Sequence, residues 1–275
     1  ARGAHLAAMQ RDGLRVESPM GDLKVPRTRA VAHPSEAPAP EIVLLMVKNR
    51  DVERAIAALA PTLAEGAAVV TVQNGVTAPR RAAAALGVAR VIVGAVYMPA
   101  DIRAPGVIRH SSDFAALQVG ILAGGPEGVC DRLVAAVAEA GIDAARVGDP
   151  DALLWEKFVL LAPFAAITAL TRLDIGPIRR CPETLDLLAR AVSETEAVGH
   201  AVCPGLPRGI GDRQLARLVE TLPDAAHASM LDDLVRGKPL ELEHLSGEVV
   251  RLGRAHGIPT PVHEMARAAL LPHAD

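Results

Sequence analysis

Ile42-Val43-Leu44-Leu45-Met46-Val47 runs straight into Lys48-Asn49-Arg50-Asp51. Six consecutive apolar residues ended by a polar cluster predict a strand buried on both faces, as in a parallel sheet covered by helices on either side. Asp51 then opens a helical stretch to about residue 63, with Val52, Ile56 and Leu59 marking one apolar face. After Gly66, Ala68-Val69-Val70-Thr71-Val72 reads as the next strand, residues 78–86 as an Ala-rich helix, and Val91-Ile92-Val93-Gly94-Ala95-Val96-Tyr97 as a third strand. This β-α-β-α-β order is the signature of a doubly wound parallel sheet.

Working outward, Gly106-Val107-Ile108-Arg109-His110 and residues 114–120 read as two strands paired with each other through Ser111-Ser112-Asp113. A helix over 127–140 and a last strand at Ala144-Ala145-Arg146-Val147 follow. From Asp151 onward only helical periodicity remains, broken at Gly176-Pro177, Cys203-Pro204-Gly205, Gly237-Lys238-Pro239 and Gly257-Ile258-Pro259. The expected organisation is an α/β domain over 1–150 and an all-helical domain over 151–275. Toward the front, Leu14-Arg15-Val16-Glu17 and Leu23-Lys24-Val25 predict a hairpin around Met20-Gly21-Asp22, and residues 4–11 make about two turns of helix.

The composition narrows the function classes. At 275 residues the chain is long enough for two cores. A net charge of −3 with interspersed signs and almost no aromatic residues argues against a nucleic-acid surface. No run approaches eighteen uninterrupted apolar residues, which argues against a membrane span, and the first residues show no signal-peptide pattern. Cys130, Cys181 and Cys203 are odd in number and widely spaced, so a reducing cytoplasm is the simple reading. The histidines have no metal-ligand spacing, and no metal is expected; His256 and His263, at predicted helix ends, read as surface or packing residues.

Chemistry gathers at a few positions. Lys48 immediately follows one parallel strand, and Gln73-Asn74-Gly75-Val76 follows the next. Carboxyl ends of parallel strands are where open α/β sheets bind ligands. Each also has a plain structural reading, a lysine closing a strand and an Asn-Gly turn; found together at adjacent strand ends, they favour a site. Lys157, in Trp155-Glu156-Lys157-Phe158, sits on an otherwise apolar helix, where it either snorkels to solvent or stays partly desolvated. The second state lowers its pKa and lets it protonate a carbonyl oxygen as hydride arrives. Ser229 reads as a helix N-cap, and Glu241 stands just before a long helix over 243–255. Alternatively, Ser229 binds a carboxylate and Glu241 partners a lysine.

The order Val47-Lys48, Gln73-Asn74-Gly75, Trp155-Glu156-Lys157, Ser229-Met230-Leu231, Glu241, then Arg254-Ala255-His256-Gly257-Ile258-Pro259-Thr260-Pro261 resembles the ketopantoate reductase (2-dehydropantoate 2-reductase) family over essentially the whole chain. The resemblance implies a Rossmann-like domain binding NADP(H), a helical C-terminal domain, and reduction of a 2-oxoacid in the cleft between them. It implies that Lys157 donates the proton and that Glu241 lies beside cofactor and substrate. Lys48 and Asn74 would position nicotinamide and substrate, and Ser229 would hold the substrate carboxylate. Arg2 would pair with the 2′-phosphate of NADPH. A small-molecule substrate and a cytoplasmic setting follow, and the pattern leaves a homodimer open.

Two departures stand out. No GxGxxG is present, and residues 2–6 look like the continuation of the family's second strand, so a βαβ unit of roughly thirty residues is expected to precede Ala1. Beyond Lys157 by one and two helical turns, where the family carries asparagines for the substrate hydroxyl, stand Leu161 and Ala165. That face is expected to favour a more apolar 2-oxoacid. Two other readings remain: a related 3-hydroxyacid or opine-type dehydrogenase, and a non-catalytic ligand-binding protein that kept the fold without the phosphate turn.

Overall fold

The computed structural model describes residues 1–274. Its contacts divide the chain into two compact units, one of residues 1–47, 51–72 and 79–148, the other of residues 48–50, 73–78 and 149 onward.

The first unit contains α1 (Gly3–Asp12), β1 (Leu14–Glu17), β2 (Leu23–Val25), β3 (Ile42–Leu45), α2 (Val52–Leu59), β4 (Ala68–Thr71), α3 (Ala78–Leu86), β5 (Val91–Tyr97), β6 (Ala100–Ala104), β7 (Val107–His110), β8 (Ala116–Ile121), α4 (Glu127–Glu139) and β9 (Asp143–Arg146). Its main sheet has the order β3-β4-β5-β8-β9. The register explains why β4 is apolar throughout. Val69 and Val91 are paired and pack against Val52, Ile56 and Leu59 of α2 and Ala82 of α3. Val70 and Ile92, one residue on, point to the opposite face and meet Leu117, Val119 and, on α4, Cys130 and Leu133. Alternate residues thus serve two cores, each fully buried aliphatic side chain stabilising the fold by about 1.5–3 kcal/mol. A one-residue slip would exchange the two faces.

The sheet is mixed rather than wholly parallel. β3, β4 and β5 run parallel, but β8 lies antiparallel to β5 from Ile92↔Ile121 to Tyr97↔Ala116, with β9 parallel to β8. The expected pairing of 106–110 with 114–120 does not occur. β7 instead joins a second sheet, ordered β2-β1-β7-β6, where it pairs antiparallel with β6 and parallel with β1. The linker between β7 and β8 is tied to that second sheet. His110 Nδ1 lies 2.9 Å from Ser18 Oγ, and its Nε2 lies 2.8 Å from Ser112 Oγ and 3.0 Å from the Phe114 carbonyl. The chain therefore crosses between sheets here instead of turning back in a hairpin. The hairpin expected over 14–25 does form, with Leu14↔Val25 to Val16↔Leu23 paired antiparallel. Gly13 makes the entry into it: its φ is +82°, and a Cβ there would lie 2.8 Å from Pro26 Cα. Residues 2–6 do not continue a strand. Arg2 is extended, and α1 begins at Gly3 with Leu6 N–H donating to the Arg2 carbonyl at 3.2 Å.

The second unit is helical: α5 (Pro150–Thr171), α6 (Ile175–Arg180), α7 (Pro182–Val202), α8 (Ile210–Ala216), α9 (Ser229–Val235), α10 (Ser246–His256) and α11 (Pro261–Leu270). Asp149 caps α5, accepting the Ala152 N–H at 2.9 Å, and Pro150 occupies the first helical position. By length and composition alone α5 is long and apolar enough to span a bilayer, although Glu156 and Lys157 interrupt its apolar run. Most of it is buried as the central helix of this unit, with Trp155 and Phe158 edge to face at 5.3 Å. Gly199 of α7 lets the two helices approach, since a Cβ there would lie 3.0 Å from the Trp155 ring.

Two buried polar groups of this unit show how local partners satisfy them. Glu194 on α7 accepts the N–H groups of Val262 and His263 at 2.9 and 3.1 Å, capping α11 from outside its own segment. His263 is fully buried, with Thr195 Oγ1, the Ala191 carbonyl and Ser246 Oγ at 2.8, 3.1 and 3.2 Å. Burial pushes its pKa down to about 4, only partly opposed by the Ala191 carbonyl, so the imidazole is neutral at pH 7. It is a packing residue.

Candidate active site

The turn after β3 grips the carboxylate of Glu241, which stands in the segment before α10, and ties it to Asp233 on α9 and to the backbone of the turn after β4. Lys48 Nζ donates to Glu241 Oε2 at 3.3 Å and to Asp233 Oδ2 at 3.0 Å. The next residue donates its backbone N–H to the other oxygen, Asn49 N to Glu241 Oε1 at 3.3 Å. One dipeptide thus grips both oxygens of Glu241, which is 8% exposed. The Asn49 amide, itself 1% exposed, donates to the Asn74 carbonyl at 2.5 Å. Arg50 adds a bond from its guanidinium to the Pro239 carbonyl at 3.1 Å. Since the Lys48 side chain is 40% exposed, its ion pairs serve orientation more than stability.

Two lysines see this carboxylate and are driven apart. Burial alone would lower Lys48, but Glu241 and Asp233 together outweigh it and hold its ammonium above the usual lysine range. Lys157, partly buried on α5, has burial as its dominant influence; Glu241 offsets only some of it, and the pKa falls to about 8. Lys48 is therefore a fixed positive charge, whereas Lys157 is able to give up and regain a proton near neutral pH.

Of the residues singled out in the sequence, Lys48, Asn74, Lys157 and Glu241 all belong to the second unit, and direct contacts or charge couple Lys48 and Lys157 to Glu241. Ser229 does not cap α9. Ala228 holds the cap position, and Ser229 is the exposed first residue of the helix. The helix expected over 243–255 starts later, at Ser246, after a 3-10 turn at Leu242–His244 that begins directly beyond Glu241. Arg2 lies in the other unit, exposed and extended before α1. Leu161 is partly buried against the helical core, and Ala165, 1% exposed, is within it. Sequence patterns assign no role to Asn49 or Asp233. Among the described residues no group of three or more His, Cys, Asp or Glu is arranged to hold a metal ion.

Known proteins match this chain over both units. The family described as "Ketopantoate reductase PanE/ApbA" matches residues 1–124, and "Ketopantoate reductase PanE/ApbA C terminal" matches residues 149–272. A 2-dehydropantoate 2-reductase of Halobacterium salinarum is 31% identical over 258 residues, covering 94% of this chain and 84% of that protein. The crystal structure of a PanE/ApbA family ketopantoate reductase from Ralstonia eutropha JMP134 has a TM-score of 0.89 at 30% identity, covering 100% of this chain and 89% of that one. D-mandelate dehydrogenase in ternary complex with NADH and anilino(oxo)acetate shares the fold, with a TM-score of 0.88 at 14% identity and coverage of 99% and 88%. The chain has an α/β region followed by a helical one, as in these ketopantoate reductase structures, and it belongs to the ketopantoate reductase PanE/ApbA family.

Proposed function

We propose that the protein reduces a 2-oxoacid such as 2-dehydropantoate to the 2-hydroxyacid with NADPH, Lys157 acting as the general acid. The observation that carries this reading is the partly buried Lys157 ammonium, lowered to about 8 and coupled to Glu241. The donor set fits the nicotinamide end of a dinucleotide: a lysine and an Asn-Gly turn follow adjacent parallel strands of a sheet with helices on both faces. We assign the Rossmann-like NADP-binding role to residues 1–150 and the catalytic, substrate-holding role to residues 151–275. When bound, the nicotinamide supplies the hydride.

The remaining work belongs to the chain's own side chains. Lys157 transfers a proton from Nζ to the carbonyl oxygen and regains one from solvent. Glu241 keeps the ammonium oriented, Lys48 and Asn74 position nicotinamide and substrate, and Ser229 holds the substrate carboxylate. Arg2 pairs with the 2′-phosphate. Leu161 and Ala165 offer no hydrogen bond to a substrate hydroxyl, which favours a more apolar 2-oxoacid, since a desolvated and unpaired hydroxyl costs about 1–3 kcal/mol. A panel of hydroxylated and apolar 2-oxoacids, assayed with NADPH and with NADH, tests the reading. Turnover with an NADPH preference supports it; absence of turnover on every 2-oxoacid refutes it.

A further inference from the structure

A closed circuit of backbone contacts surrounds Glu241. Asn49 N–H donates to its Oε1 at 3.3 Å, and the Asn49 side-chain amide donates to the Asn74 carbonyl at 2.5 Å. Gly75, with φ of +94°, then passes so close to the His244 carbonyl that a Cβ there would lie 2.9 Å from its oxygen. His244 N–H returns to the Glu241 carbonyl at 3.1 Å. The circuit runs from the carboxylate through Asn49, the 74–75 turn and His244 back to the backbone of Glu241 itself. Its only side-chain link, apart from Glu241, is the Asn49 amide.

We propose that Asn49 is a positioning residue: its buried amide fixes the peptide plane that holds Glu241 Oε1 and ties that carboxylate to the Asn74 turn. Three observations support it. Asn49 is 1% exposed, and a polar side chain so deeply buried is costly unless its hydrogen bonds are made. It neighbours Lys48, so the backbone it fixes also sets where the Lys48 ammonium meets Oε2 and Asp233. And Glu241 acts on Lys157, so a carboxylate freed to rotate would change the charge that Lys157 experiences. The charged groups that face one another here are Lys48 from the turn after β3, Asp233 from α9, Glu241 before α10 and Lys157 from α5.

The chain has only four lysines, Lys24, Lys48, Lys157 and Lys238, which makes the effect directly readable. With lysine labelled at Cε, NMR titration of the full chain resolves Lys157 in the wild type, in Asn49→Ala and in Asn49→Leu, the last keeping most of the side-chain volume. Loss of the amide is expected to move the Lys157 titration down by about half a pH unit to one pH unit, because the attraction of Glu241 weakens. The alkaline limb of the kcat profile should move by the same amount, with kcat reduced tenfold or more and KM changed less than threefold. Variants that melt at lower temperature yet keep the wild-type Lys157 titration and pH profile would overturn the proposal and leave Asn49 a packing residue. In the wild type alone, the Asn49 backbone amide resonance should follow the titration of a carboxylate; an amide that follows none also overturns it. The kinetic arm rests on the proposed reductase function, whereas both NMR arms do not. Absent turnover with a shifted Lys157 would therefore refute the function and support the role of Asn49.

Discussion

Replacing Lys157 by methionine should make the protein more stable while abolishing its turnover. The ammonium titrates at about 8 instead of 10.5, with burial as the main cause and Glu241 as the partial offset. A tenfold change in proton affinity corresponds to about 1.4 kcal/mol, so holding the charged form in place costs on the order of 3 kcal/mol at neutral pH. Methionine fills a similar volume, and Trp155 and Phe158, close by on α5, are buried and apolar. Glu241 is not orphaned by the change, because Lys48 and the Asn49 N–H remain on its two oxygens. The sign depends on pH. Below about 8 both folded and unfolded wild type carry the proton, and the full cost is present. Between about 8 and 10.5 the unfolded chain binds the proton more tightly, so wild-type stability rises with pH and the advantage of Lys157→Met shrinks toward zero. Urea denaturation at pH 7, 8, 9 and 10, followed by fluorescence of the single tryptophan, Trp155, reports on the same helix. A variant destabilised by ~3–5 kcal/mol at pH 7, as expected for breaking a buried ion pair, would refute the reasoning. So would a stability difference that is the same at every pH.

Other consequences follow from the same geometry. Glu241→Gln removes the group that supports the Lys157 charge, so the Lys157 titration should fall below about 8 and kcat at pH 8 should drop at least tenfold; lysine NMR and steady-state kinetics check both. His263 is held neutral with a pKa of about 4 against 6.5 unfolded, so stability present above pH 6.5 is lost as the pH falls toward 4, by about 3 kcal/mol in all. In His263→Gln the urea midpoint should depend less on pH over that window. Leu161→Asn should raise kcat/KM for a hydroxylated 2-oxoacid relative to an apolar one of similar size by about tenfold or more; an unchanged ratio would place the substrate side chain away from position 161.

The elements of this fold that depend on local pattern were readable in the chain. The apolar runs at 42–47 and 91–97 mark β3 and β5, and the Ala-rich segment 78–86 is α3, because strand and helix periodicities are properties of neighbouring residues. Partner choice is not local. Nothing within residues 106–120 says that β7 belongs to one sheet and β8 to another; that is decided by Ser18 and by β5, many residues away. The site divides in the same way. Lys48 and Asn74 are legible because strand ends are legible, and Lys157 because a charge on an apolar helix is conspicuous. Asn49 and Asp233 carry no such mark. Asn49 reads as one more polar residue after a strand, and Asp233 as one of an acidic pair on a short helix, until folding brings both to Glu241 or its lysine. Ser229 shows the converse, an N-cap residue type placed one position too late to cap.

The central claim is that Lys157 supplies the proton. Its most direct test is the pH dependence of kcat for NADPH-dependent 2-oxoacid reduction, measured in the wild type and in Lys157→Arg, whose guanidinium does not titrate in the accessible range. The wild type should lose activity with one ionisation near pH 8, while Lys157→Arg should show low turnover without that ionisation. An arginine variant that keeps wild-type turnover, or the same ionisation near pH 8, would contradict the account.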